Sequence, residues 1–186
     1  VQLDEIKTND PYVQLLRGAR PNDPQAHYNL ARLLSTQGKL ADAFALYEQA
    51  LELDPNFAAA RNGLGDVCLR QGLAAEAIQH YRQTILLDSN LILAANNLAW
   101  LLATSVDETL RNGREAVHWA EHCVRLAKGT HPAILNVLAA AYAEAGRFED
   151  AVRIAEKGLQ LAHSADNEQL SQKFKEQLQL YENDQP

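Results

Sequence analysis

The sequence predicts an all-α chain built as a solenoid of stacked helix pairs, and three observations carry that reading. Landmarks recur at one spacing: Leu30 and Leu64, Ala31 and Gly65, Gly38 and Gly72, Ala43 and Ala77, Tyr47 and Tyr81 all stand 34 residues apart. Apolar residues within each unit follow the i, i+3, i+4, i+7 spacing of one helix face, not the alternation of a strand. Glycine and proline fall between these stripes, where helices end and begin. A unit of this length holds two helices that cannot bury their apolar faces alone and must stack on their neighbours.

In chain order, residues 9–23 read as the end of a partial preceding repeat, because Pro21 lies 34 residues before Pro55. The first complete repeat, 24–57, opens with Asp23 as N-cap and Pro24 at the first helical position. His27, Leu30, Ala31 and Leu34 share one face, and Gly38 stops that helix. Ala43, Tyr47, Ala50 and Leu51 stripe the return helix, which ends at Asp54-Pro55. Small residues at Ala31, Gly65, Ala43 and Ala77 let the paired helices approach closely. The next repeat, 58–91, copies this plan. The repeat 92–130 carries an insertion of about five residues in 105–113, where Asn112-Gly113 reads as a turn. The repeat 131–163 opens at Pro132 and runs through Leu138, Ala139, Tyr142, Gly146, Ala151, Ala155 and Gly158. Residues 164–183 place Leu170, Phe174, Leu178 and Tyr181 on one face and charges elsewhere, as suits a capping helix with a wet outer side. All of 1–186 reads as one domain.

The totals narrow the function. At 186 residues and 47% hydrophobic, the chain can bury an ordinary core. A net charge of −7 argues against nucleic acid or anionic membrane as partner. No apolar run reaches the roughly 20 residues of a spanning helix. Cys68 and Cys123 have no framework or zinc spacing, and both fall at packing positions as buried thiols. His118 and His122 lie one turn apart but lack a third ligand, so no metal or other cofactor is expected. No nucleophile–base arrangement or phosphate loop is visible, and the chain reads as non-enzymatic. It contains no methionine, which suggests a processed or excised piece of a longer polypeptide. The compartment is left open.

The spaced set Leu30-Ala31, Gly38, Ala43, Tyr47, Ala50 and Pro55 resembles the tetratricopeptide repeat signature. His27, Arg61 and Ala95 depart from it where that family often has tryptophan, and Ser89 where it has proline. The resemblance implies a right-handed superhelix in which the first helix of each repeat lines the inner, concave surface. It also implies a protein or peptide segment as partner. Runs such as "NNLAWLLAT" and "LAAAYAEAGRFEDAV" resemble bacterial members, some of which trail a membrane glycosyltransferase.

On a helical wheel Asn97 and Trp100 lie opposite Leu98, Ala99 and Leu102, with Asn96 on the flank. Asn62, Asn96 and Asn136 occupy equivalent positions in three repeats, and Asn29 and Asn97 the next position in two. These amides are therefore expected outside the core, as a ladder that grips the backbone of an extended peptide. Tyr28, Arg32, Asp66, Arg70 and Trp100 complete the expected groove. Trp100 has two readings, an anchor for an apolar side chain and a packing residue under the 105–113 loop. A carboxylate clamp is not expected, because no lysine stands at the inner positions and Asp66 would repel an anionic tail. Against the peptide groove stand amides that merely solvate the surface, a structural arm that spaces or dimerises a larger machine, and an accessory tail of a larger bacterial protein.

Overall fold

The computed structural model describes residues 22–186, and every described element is helical. The partial repeat expected at 9–23 lies almost wholly outside the described residues. The chain divides into two compact units, one ending at Ser89 and one beginning at Asn90.

The first unit holds α1 (Pro24–Thr36), α2 (Leu40–Leu53), α3 (Ala58–Arg70) and α4 (Ala74–Leu87). The Asp23 carboxylate accepts from the Gln25 N–H at 3.0 Å, so this side chain and Pro24 start α1 as the sequence predicts. Gly38 ends it at φ +78°, a left-handed conformation that costs a side-chain-bearing residue energy. Gly72 repeats the same turn at φ +80°. The Asp54-Pro55 stop holds because the Asp54 carboxylate accepts from the Asn56 N–H at 3.0 Å. Helix α1 packs on α2, α2 on α3, and α3 on both α4 and α1. Leu30, Leu34, Leu46, Tyr47, Leu64 and Val67 form the core between them. Each fully buried leucine of this kind contributes about 1.5–3 kcal/mol.

Gly65 meets the reason foreseen for it, since a Cβ there would lie 2.6 Å from Cε1 of the buried Tyr81 ring. Gly63 has the same role toward Tyr47 of α2. Nothing in the spacing pointed to Gly63, because its equivalents Asn29 and Asn97 carry full side chains.

The second unit holds α5 (Ile92–Thr104), α6 (Gly113–Leu126), α7 (Pro132–Glu144), α8 (Phe148–Ser164) and α9 (Glu168–Tyr181). Between α5 and α6 the insertion forms a single 3-10 turn, Glu108–Leu110. Asp107 caps it, accepting from the Thr109 N–H at 3.0 Å. Arg111 ties it down, with ion pairs to Glu108 at 2.5 Å and to Glu144 of α7 at 3.4 Å. Asn112-Gly113, read as a turn, is instead a helix start. The Asn112 side chain accepts from the Glu115 N–H at 3.1 Å, and Gly113 is the first residue of α6. Asparagine serves turns and N-caps through the same local hydrogen bond, which is why the dipeptide alone does not separate them.

Helix α5 packs on α6 and α7, α7 on α8, and α9 on α8 with a further contact to α7. Helix α7 is buried over the whole run 134–143. Its apolar composition and its central place agree, since a helix surrounded on all sides is apolar all round.

Candidate functional site

In each unit the first helices of successive repeats touch, α1 with α3 and α5 with α7. Equivalent residues on them therefore share a face. On α1 the open strip is Gln25, Tyr28, Asn29 and Arg32. The Asn29 side-chain Oδ1 accepts from Gln25 Nε2 at 3.0 Å, and the Arg32 guanidinium stands 5.7 Å from the Tyr28 ring centre. Tyr28 also rests on Phe57 and Tyr47, with ring centres 5.1 and 6.0 Å away, so its apolar edge belongs to the core.

On α3 the strip narrows. Asn62 is 8% exposed and donates through Nδ2 to Asp66 at 3.1 Å. Asp66 also accepts from the Tyr81 hydroxyl at 2.7 Å, which joins the inner face to the second helix of the same repeat. Arg70 reaches back to α1 and donates to the Ser35 carbonyl at 2.5 Å and its hydroxyl at 2.9 Å. Burial, then the neighbouring Tyr28 and Asp66, push the Tyr47 phenol well above its ordinary value.

In the second unit α5 keeps an open strip at Leu93, Asn96, Asn97, Trp100 and Thr104. Asn136, on α7, does not join it. It is 4% exposed, and its Nδ2 donates to Gln177 Oε1 of α9 at 2.5 Å. Lys173, one turn before Gln177, sets its ammonium 4.6 Å from the Trp100 ring centre. Trp100 is thus partly covered by the last helix.

The amides were expected outside the core, and Asn62 and Asn136 are buried. A wheel treats the face opposite the core as open, yet α3 is flanked by α1, α2 and α4, and α7 by α5, α6, α8 and α9. Only Asn29, Asn96 and Asn97 keep partial or full exposure. Lys173 reaches the Trp100 face from α9, a placement no repeat spacing could show.

Of the remaining candidates, His27, Cys68 and Cys123 are buried packing groups. His27 is 5% exposed and pairs through Nδ1 with the Asp23 carbonyl at 2.9 Å. His118 and His122 both set their rings edge-on to Trp119. Cys68 and Cys123 are buried and unbridged, and burial raises both thiols, Cys123 to about 11. Tyr142, whose hydroxyl donates to Glu121 at 2.8 Å, is raised to about 12 by burial and by that carboxylate.

These last two shifts predict an alkaline limit. Unfolded, the Cys123 thiol and Tyr142 phenol ionise near 9.0 and 10.0; folded, they hold their protons to about 11 and about 12. Their stabilisation is complete below the lower values and is lost as pH rises through the higher ones. The midpoint of thermal unfolding should therefore hold to about pH 8 and fall progressively toward about pH 12. A Cys123→Ala/Tyr142→Phe variant should fall less steeply over the same range.

The chain resembles several solved structures. The crystal structure of MamA protein aligns with a TM-score of 0.63 at 17% identity over 86% of this chain and 92% of that one. MamA from residue 41 onward, from Desulfovibrio magneticus RS-1, aligns at 0.66 and 14% identity over 87% and 96%. A chain of the APC/C hetero-tetramer Cut9-Hcn1 aligns at 0.65 and 18% identity over 82% of this chain and 28% of that one. At such identities the likeness is one of fold. No curated protein matches the sequence. Models described as tetratricopeptide repeat match residues 12–56, 28–90 and 133–165, more than half of the chain. The protein belongs to the tetratricopeptide repeat family, whose fold serves in general as a non-catalytic scaffold for protein–protein interaction.

Proposed function

We propose that the chain is a non-enzymatic interaction module that holds a protein or peptide segment on the inner strips of its first helices. The observation that carries this is the chemistry of those strips. Tyr28, Asn29 and Arg32 on α1, and Asn96, Asn97 and Trp100 on α5, stay partly or fully exposed on helices whose other faces are packed. An amide offers donors and an acceptor to a passing backbone whatever its sequence, and an arginine or tryptophan adds an anchor. On α3, Asp66 and Arg70 border the first of these strips, and Asn62 holds Asp66 in place. Both thiols are buried and raised in pKa, which suits packing and not nucleophilic attack.

Asn62 and Asn136 are poor probes, because removing a bonded, buried amide disturbs the fold as well as the surface. The exposed residues serve better. A folded Asn29→Ala/Arg32→Ala/Asn97→Ala variant, checked by circular dichroism, should lose a partner that the unaltered chain captures from lysate. Equal capture by both chains would move the binding surface off these strips.

A further inference from the structure

We propose that α9, through Lys173 and Gln177, is a built-in competitor for the inner face of the second unit, and that the segment displacing these two side chains is basic. The inference rests on the reading of the inner strips as peptide surfaces and assigns both the regulation and the partner chemistry of one of them. Lys173 and Gln177 stand at i and i+4, so they project from one flank of α9. One sets an ammonium over the Trp100 ring at 4.6 Å, and the other gives a carbonyl acceptor to Asn136 Nδ2 at 2.5 Å. Those are the two contacts an extended segment would make there: a cation on an aromatic face and a backbone carbonyl on an amide donor.

The helix itself does not leave. Phe174 is 0%, Tyr181 3% and Ser171 4% exposed, so α9 is fixed by the face that carries them. Lys173 is exposed and Gln177 half-buried; both are long side chains that can turn away while the helix stays docked. Competition is therefore at the level of two side chains. A partner wins by presenting a better placed lysine or arginine and a main-chain carbonyl. The net charge of −7 favours such a partner over an acidic one.

The test uses the full chain with Trp119→Phe, which leaves Trp100 as the reporting indole, since the sequence has two tryptophans. Without peptide, Lys173→Ala/Gln177→Ala should make Trp100 more accessible to acrylamide quenching. Three synthetic peptide pools of equal length, one basic, one neutral and one acidic, are then titrated. The basic pool should bind the double variant about tenfold more tightly than the parent, and Trp100→Ala, followed by polarisation of labelled peptide, should abolish that gain. The single conservative change Lys173→Gln should give an intermediate gain. Equal affinities for parent and double variant, an equal gain with the acidic pool, or no binding of the basic pool would each overturn the proposal. If capture from lysate still depends on Asn29, Arg32 and Asn97 in that event, the peptide-surface reading survives alone. If capture is indifferent too, both fall.

Discussion

Replacing Phe174 by alanine is expected to destabilise the second unit by about 3–5 kcal/mol, the usual cost of emptying a fully buried aromatic site. Phe174 is 0% exposed and lies on Gly158, which has no side chain to intrude on the ring. The pair is how a helix with a largely polar surface stays attached. Around Phe174, α9 presents Gln172, Lys173, Lys175 and Glu176 to water, so little else holds it at that point. Alanine would leave a ring-sized cavity between α8 and α9, and Gly158 could not fill it. The expected result is a lower urea midpoint and faster amide exchange in α8 and α9. Leu180→Ala is the control, since Leu180 is 42% exposed on the same helix and its loss should stay within about 0.5 kcal/mol. Equal effects of the two substitutions would mean that α9 is not anchored by its aromatic face. The same experiment bears on the competitor role, because a loosened α9 also withdraws Lys173 and Gln177 from Trp100 and Asn136.

The repeat was legible because it is written in local chemistry. Asp23-Pro24 starts a helix and Gly38 ends one by rules that act within a single turn, and a fixed period multiplies each such signal. Gly65 was legible for the same reason, being equivalent to the small Ala31. The site was less so. A helical wheel knows what one helix presents, and nothing of how many neighbours close around it. It placed Asn97 on the open side of α5 with Asn96 on the flank, and missed the burial of Asn62 and Asn136, which other helices impose. Gly63 and the α9 contacts escaped because neither obeys the period. One answers a ring sixteen residues upstream in sequence, Tyr47, and the other comes from a helix outside the repeats.

Gly113→Ala is the second substitution with a large expected effect, and here two principles disagree in sign. In a helix, alanine is preferred over glycine by up to about 1 kcal/mol, so propensity alone predicts a more stable chain. Packing predicts the reverse. A Cβ at Gly113 would lie 2.6 Å from the Ala145 nitrogen, 2.7 Å from its Cα and 2.7 Å from the Glu144 carbonyl carbon. All three atoms are backbone at the end of α7, where the chain turns through Gly146 at φ +70°. A crowded side chain can rotate aside, but a crowded backbone must carry its helix with it. The ion pair from Arg111 to Glu144 spans the same junction and would have to move as well. The contact should win, with a net loss of about 2–3 kcal/mol, at the upper end for an overpacked site. Compensation separates this site from the Gly158 one. Gly158→Ala should be partly rescued by Phe174→Leu, which removes the ring it meets. Gly113→Ala should not be rescued by Ala145→Gly, because the atoms in the way remain. Urea denaturation of the six variants, two singles and one double in each cycle, reads both cycles, and rescue at Gly113 would show that the approach of α6 to α7 is set by side chains after all.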